Sequence, residues 1–276
     1  MIHMNDREIG GFCHNNFQNV SDTFLNNLNS DEEVGASYTV IQNGEVIVDI
    51  HGGFKDKDQI DPWNADTLVG VHSTGKGIIS MIIALLIDQK KLNLDEYVSA
   101  YWPEFKGGGK EEIKVRTLLS HQAGMYAWRE KVHEDDFHNW DHVVELLEKQ
   151  IPFHKPNELI CYHPKTIGFL VGELIKRITK KSIGEFLKEK ISIPLNADCF
   201  IGTPEVYHDN IATLISAPSL RKAFSDPKNI DEYTLKSFLN PGNRTKTANT
   251  KEYHLAEMPA LNCQRNSRSL APSYEY

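Results

Sequence analysis

The sequence predicts an α/β fold in which an antiparallel sheet is packed by helices. Two strand-like segments flank the dipeptide Asn43-Gly44, and several longer segments repeat apolar residues at helical spacing. A third observation is the run over residues 78–87, which is almost entirely apolar and indicates a helix buried in the core rather than on the surface. At 276 residues the chain is long enough to bury such a core.

The first elements along the chain are a helix and a hairpin. An amphipathic helix is predicted up to about Asn29 from the helical spacing of Phe17, Val20, Phe24, Leu25 and Leu28. Two strands follow at residues 36–41 and 45–50. The Asn-Gly pair between them tolerates positive φ, which a tight two-residue turn requires, so the strands are predicted to pair antiparallel.

The rest of the chain is predicted to be mostly helical. Beyond the buried helix, helical spacing recurs at 115–120, around 143–147, at 166–179 and at 183–190. The content of polar residues, glycine and proline rises from residue 240 onward. We therefore expect one domain over residues 10–262 and an irregular tail over residues 263–276.

Composition and charge exclude several classes of function. The formal net charge is -8 and the isoelectric point is about 5.8, so no basic face is expected to dominate and a nucleic-acid partner is not predicted. The longest apolar run is too short to span a membrane, and residues 1–10 lack the apolar core of a secretory signal. The expected location is intracellular, in the cytoplasm. The four cysteines form no C-x-x-C pair that would indicate a zinc site.

A candidate catalytic pair lies where a polar turn enters the buried helix. Ser73 and Lys76 form an S-x-x-K pattern, which places a hydroxyl and an amine one helical turn apart on the same face. The lysine can accept the serine's proton if burial keeps the amine neutral. The same pattern occurs at residues 219–222 and 225–228, but only the Ser73 turn leads into a buried helix. The alternative is that Ser73 merely caps this helix.

Two other patterns suggest different chemistry. Residues 70–76 satisfy G-x-x-x-x-G-K, the phosphate-binding loop, but Gly77 stands where a serine or threonine would bind Mg²⁺. Nucleotide binding therefore ranks second. The cluster of His133, His138 and His142 with intervening acids resembles H-E-x-x-H, but the second histidine falls at i+5 instead of i+4. A solvated acidic loop explains it better than a metal site, and we expect neither a metal nor a cofactor.

Several motifs follow one another in a fixed order: Ser73-Thr74-Gly75-Lys76, Leu92-Asn93-Leu94-Asp95, Leu119-Ser120-His121-Gln122-Ala123-Gly124-Met125, Tyr162-His163-Pro164-Lys165-Thr166 and Gly172-Glu173-Leu174-Ile175. Together they resemble the beta-lactamase-related serine hydrolases, and most of all the family VIII carboxylesterases. The resemblance covers about residues 10–260. The fold that the resemblance implies is beta-lactamase/transpeptidase-like, with an antiparallel sheet beside a mostly helical subdomain and with the active site between them.

The same resemblance implies roles for three residues. Ser73 is the implied nucleophile, Lys76 its proton acceptor and Tyr162 the second motif's tyrosine, which assists proton transfer with the leaving group. Pro164 occupies the position of the asparagine in the lactamase Tyr-x-Asn motif, and this favours an esterase acting on a small ester or amide.

The family's third motif, of Lys-Thr-Gly or His-x-Gly type, is not found in residues 244–276. The resemblance therefore implies a chain without the C-terminal sheet strands. It leaves open a catalytically impaired homologue that acts as a binding or structural protein. The oligomeric state is not predicted.

Overall fold

The structure is a computed structural model, and it describes residues 8–30, 33–216, 230–242 and 247–275. In this part of the chain the larger sheet is antiparallel, in the order β1-β3-β2. Its strands are β1 (Ile9–Cys13), β2 (Gly35–Gln42) and β3 (Glu45–Gly53). The predicted hairpin is present as β2 and β3. Its turn holds Asn43 and Gly44 at φ values of 54° and 81°, the left-handed region that the Asn-Gly pair accepts.

β1 is not predicted by the sequence pattern. This strand has the sequence Ile-Gly-Gly-Phe-Cys, which is short and has two glycines where strand-forming residues are usual. Close contact with the β3 backbone requires glycine at position 11, where a Cβ atom would lie 2.0 Å from the carbonyl oxygen of Asp49; a Cβ atom on Gly10 would lie 2.5 Å from Nε2 at the end of the His51 side chain. Close backbone approach therefore replaces the side-chain pattern that identifies an ordinary strand.

Helices make up most of the remaining structure. In chain order they are α1 (Gln18–Asn29), α2 (Gly75–Asp88), α3 (Val98–Tyr101), α4 (Val115–Leu119), α5 (Trp140–Lys149), α6 (Thr166–Thr179), α7 (Ile183–Leu187), α8 (Glu232–Leu239), α9 (Lys251–Leu255) and α10 (Ser267–Glu275). The helices α1, α2 and α4 to α7 lie at the predicted periodic segments, whereas α3, α8, α9 and α10 were not predicted. None of the helices in the described ranges is long and apolar enough to cross a membrane.

The core is centred on α2 and α6, which pack against each other. On α2, Ile78, Ile82 and Leu86 are fully buried, as the apolar run predicted. On α6 the first ten residues, Thr166 to Ile175, are all buried. Burying both helices on most sides fixes the start of α2, and therefore the Ser73 turn, relative to the loop that precedes α6.

A second, smaller sheet lies at the start of α2. It consists of β4 (Val69–Gly70), β6 (Gln264–Arg265) and β5 (Cys199–Phe200), in that order. Residues 263–276 thus differ from the irregular tail that the sequence suggested, because they contain β6 and α10. The buried side of α10 presents Ser269 and Ser273: the guanidinium of the fully buried Arg265 donates to the Ser269 backbone carbonyl at 2.7 Å and to the Ser273 hydroxyl at 3.0 Å. A helix that buries serines shows no apolar period, so the pattern did not identify it.

α10 packs on β2, the outer strand of the larger sheet. The hydroxyls of Thr39 and Ser267 lie 2.8 Å apart, and Arg268 forms an ion pair with Asp49 of β3. Among the described residues no strand pairs with the outer edge of β2. The antiparallel sheet, the flanking helices and the mostly helical remainder that the sequence predicts are thus present.

Candidate active site

Ser73 lies in a single 3-10 turn that leads directly into α2. The residue before the turn is fixed by a backbone hydrogen bond, in which the Val71 N–H donates to the carbonyl of Cys263 at 2.9 Å. His72, immediately before the serine, has φ of 45°, a left-handed conformation that non-glycine residues adopt rarely and at a cost. Ser73 is exposed, so the constrained turn presents its hydroxyl to solvent beside a buried helix.

Lys76 approaches this hydroxyl from the first turn of α2. Its Nζ lies 3.0 Å from Ser73 Oγ, 2.9 Å from the carbonyl oxygen of Pro164 and 3.3 Å from that of Ala260. Carbonyl oxygens only accept hydrogen bonds. When the amine is neutral, its two hydrogens are bound by the two carbonyls, and its lone pair is left to face Ser73 Oγ.

Burial moves Lys76 toward this neutral form. Desolvation lowers the pKa of Lys76 from 10.5 to about 8, because the charged ammonium loses its water shell. A lysine in that state exchanges protons with a serine near neutral pH far more readily than a solvated one. Burial thus shifts Lys76 in the direction that the S-x-x-K interpretation requires.

Tyr162 completes the group around the serine. Its hydroxyl donates to Ser73 Oγ at 3.0 Å, and the Lys76 ammonium lies 5.2 Å from the centre of its ring. The ring of His121 meets the tyrosine edge-on at 5.0 Å. The structure therefore brings Ser73, Lys76 and Tyr162 together within hydrogen-bonding distance, across 89 residues of chain in the case of Ser73 and Tyr162.

The loop that carries Tyr162 is fixed by its neighbour His163. Nδ1 of this fully buried histidine donates to the Cys161 carbonyl at 2.5 Å, and Nε2 accepts the Met125 N–H at 3.1 Å. The His163 N–H in turn donates to Nδ1 of His121. Burial lowers the pKa of His163 to about 3, so its ring stays neutral with one defined tautomer. The histidine therefore fixes the position of the loop that carries the tyrosine, and its ring does not become protonated at neutral pH.

Sequence reasoning missed four contributors to this site. His121 and His163 lie within motifs that carried the resemblance, so their positions were visible but their contacts were not. The carbonyls of Pro164 and Ala260 gave no signal, because any residue type can supply a backbone oxygen. Ala260 is 184 residues from Lys76, and only the folded chain brings the two together.

The residues of the phosphate-loop pattern and of the histidine cluster have other contacts in the structure. Lys76 of the phosphate-loop pattern is directed at Ser73 and two carbonyls. Residues 134–138 form a 3-10 turn in which the His133 N–H donates to the Asp136 carboxylate. Over the described ranges no three His, Cys, Asp or Glu side chains come together as a metal site. The further S-x-x-K matches at 219–222 and 225–228 lie outside the residues described.

Comparison with known proteins gives one family and a consistent set of relatives. The family whose model matches, over residues 20–250, is described as Beta-lactamase. The Mycobacterium tuberculosis protein described as "Esterase/beta-lactamase LipL" is 31% identical over 167 residues, which are 59% of this chain and 38% of that protein. This chain therefore spans well under half of that relative's length.

Solved structures agree with the family match. A family VIII carboxylesterase superimposes with a TM-score of 0.89 at 34% identity, covering 97% of this chain and 70% of that one. A penicillin-binding protein homologue from Caulobacter crescentus superimposes with a TM-score of 0.86 at 31% identity, covering 96% of this chain and 70% of that one. The fold is thus shared with these two solved structures over almost the whole of this chain.

Proposed function

The chain belongs to the Beta-lactamase family, and on that premise we propose that it is a serine hydrolase that cleaves a small ester or amide through an acyl-enzyme on Ser73. One observation carries the proposal: the Lys76 amine and the Tyr162 hydroxyl both lie 3.0 Å from Ser73 Oγ. A nucleophile with two proton-transfer groups in contact is the arrangement that covalent acyl transfer requires.

The reaction proceeds in two steps. Neutral Lys76 takes the proton of Ser73 as its Oγ attacks the carbonyl carbon, and negative charge develops on the carbonyl oxygen. The Ser73 N–H is at the beginning of a helical segment, where backbone donors and the helix dipole favour such a charge. Tyr162 passes a proton to the leaving group as the tetrahedral intermediate breaks down. Water then attacks the acyl-enzyme with the same groups acting in reverse.

An ester is favoured over a beta-lactam as substrate. Pro164 lacks the side-chain amide that the lactamase Tyr-x-Asn motif provides, so no donor or acceptor is offered from that position to a substrate amide. Its carbonyl is instead committed to Lys76 at 2.9 Å. A solved relative described as a family VIII carboxylesterase supports the same preference.

The alternative is a protein that keeps this fold, turns over substrate poorly and acts by binding a partner. It is favoured by the lack of a Lys-Thr-Gly or His-x-Gly motif in residues 244–276. Loss of one oxyanion donor slows acyl transfer by about 10²- to 10³-fold in serine hydrolases. The two candidates therefore differ in turnover, while the proposed chemistry at Ser73 is the same.

A fluorophosphonate probe tests the nucleophile directly. Labelling of the full chain, located by peptide mass spectrometry, is expected on Ser73 and is expected to disappear in Ser73→Ala. Ser80→Ala is the matched control, because Ser80 is an exposed serine on the same helix whose hydroxyl only binds the Lys76 carbonyl. Equal labelling of wild type and Ser73→Ala would refute the assignment. Labelling without turnover of p-nitrophenyl butyrate would favour the binding alternative.

A further inference from the structure

Helix α8 contacts Tyr162 at two points. The hydroxyl of Tyr233, in its first turn, donates to the Tyr162 carbonyl. The ring of Phe238, in its last turn, lies 6.5 Å from the Tyr162 ring. Burial raises the pKa of Tyr233 to about 12, so this hydroxyl stays protonated and remains a donor. The position of α8 therefore bears on both the backbone and the ring of the tyrosine that contacts Ser73.

The C-terminal end of α8 is held by a buried lysine. Lys165 is 2% exposed, and its ammonium donates to the carbonyl of Phe238 at 2.7 Å and to that of Pro241. The last carbonyls of a helix have no partners within the helix and carry the negative end of its dipole, so a cation is stabilising there. Next to it, the Asn240 side chain donates to the carbonyls of Trp128 and Glu130.

Tyr162 and Lys165 are three residues apart in one short loop, yet they engage opposite ends of α8. The first turn of the helix is bound to the Tyr162 carbonyl through Tyr233, and the last turn is bound to Lys165 through Phe238. The loop therefore contacts both the first and the last turn of α8. Removing the Lys165 ammonium takes away one of the side chains that hold this end of the helix; another is Asn240, whose side chain also accepts the Val132 N–H.

We propose that Lys165 is a positioning residue for the acyl-transfer site, acting through α8 to hold Tyr162 in contact with Ser73. This inference rests on the proposed function, since it assigns Lys165 a part in the same reaction. Lys165 does not bind Ser73, Lys76 or substrate in this account. It determines where the tyrosine hydroxyl lies.

The chemistry of the contact explains why a lysine is present in so buried a position. Burial lowers the pKa of Lys165 to about 8, with the nearby Glu134 opposing the shift. Burying an amine costs stability unless its hydrogens are bound, and here two carbonyls at a helix end bind them. An apolar side chain of similar length fills the same space but removes the ammonium donor from both carbonyls.

A buried lysine that caps a helix end is also an ordinary way to stabilise a fold, and the chain contains such a case. Lys110 is 1% exposed, and its ammonium donates to the carbonyls of Glu148 and Gln150 at the end of α5. In the described part of the chain, α5 makes no hydrogen bond to Ser73, Lys76 or Tyr162. Lys110→Met therefore removes the same kind of interaction away from the site and serves as the matched control for Lys165→Met.

The first measurement is hydrogen–deuterium exchange of the full chain, which does not depend on activity. Lys165→Met is expected to increase exchange in peptides covering α8 and in those covering residues 159–164, whereas Lys110→Met is expected to increase it at the end of α5. Tyr233→Phe, a partly exposed position, keeps the proposal testable if Lys165→Met does not fold. It is expected to increase exchange at residues 159–164 while leaving the Lys165 end of α8 protected.

The second measurement is kcat and KM for the hydrolysis of p-nitrophenyl butyrate. Lys165→Met is expected to lower kcat about ten- to a hundredfold with little change in KM, because a misplaced proton-transfer group affects the chemical step more than binding. Lys110→Met is expected to change kcat less than about twofold. In a Tyr162→Phe background, Lys165→Met is expected to cost less than about twofold more, since the two substitutions disable the same group.

The outcomes separate this proposal from the proposed function. Unchanged exchange at residues 159–164 in both Lys165→Met and Tyr233→Phe would overturn the coupling. The coupling would also be overturned if Lys165→Met lowered kcat by the same factor in the Tyr162→Phe background as in the wild type, because Lys165 would then act independently of Tyr162. If the wild type failed to acylate Ser73, the proposed function would fall, and the exchange data alone would still decide whether Lys165 holds Tyr162 through α8.

Discussion

The lowered pKa of Lys76 makes acylation of Ser73 dependent on pH in a defined way. The amine acts as a base only when neutral, so the rate is expected to rise with pH and to level off above its pKa, which burial lowers from 10.5 to about 8. At pH 7, roughly a tenth of Lys76 is neutral, against roughly one part in 3,000 for a solvated lysine. Burial thus increases the reactive fraction about 300-fold.

The assay is the second-order rate of fluorophosphonate labelling between pH 5.5 and 10. We expect the logarithm of the rate to rise with a slope of one and to bend near pH 8. Lys76→Arg tests the role of deprotonation, since a guanidinium keeps its hydrogen-bond donors but cannot lose a proton at these pH values. It is expected to lower the rate by about 10²- to 10⁴-fold.

A rate that is constant between pH 6 and 9 would refute this reasoning. Two histidines near the site offer the competing explanation: His72 directly precedes the serine, and the ring of His121 contacts Tyr162. Burial and the charge of Lys76 lower the pKa of both below 6.5, so a histidine base would make the rate level off before pH 7. His121→Asn is therefore the control, and it is expected to leave the bend near pH 8 in place.

Three substitutions around the Ser73 turn have outcomes that its contacts determine. Gly75→Ala places a Cβ atom 2.7 Å from Cβ of Cys263 and 3.0 Å from the backbone oxygen of Pro259, and it is expected to lower the free energy of unfolding in urea by about 1–3 kcal/mol; an unchanged free energy would contradict this. Asn262→Ala removes a fully buried amide that binds three backbone groups, and we expect a loss of at least about 2 kcal/mol in the same assay. Tyr162→Phe is expected to slow probe labelling by about 10²- to 10⁴-fold while changing the unfolding free energy by less than about 0.5 kcal/mol, since the residue is exposed; the reverse result would make its role structural.

The elements that the sequence predicted well are those defined by local periodicity. The β2–β3 hairpin was readable because Asn43-Gly44 has a specific turn chemistry. The buried α2 could be predicted because an apolar run of this length is too long for a typical strand and too apolar for a surface helix. β1 and α10 were not, because one replaces side-chain pattern with glycines in close backbone contact and the other buries Ser269 and Ser273 against a charged Arg265.

For the site, the sequence by itself determined which side chains are available and how Ser73 and Lys76 are spaced, because both belong to one helical turn. It also indicated Tyr162 through the order of its motifs. Only the tertiary structure decided whether the lysine is usable as a base, because burial lowers its pKa and the carbonyls of Pro164 and Ala260, 88 and 184 residues away, orient the amine toward Ser73. Backbone oxygens carry no residue signature, so the proton-accepting state of Lys76 is a property of the fold rather than of the motif.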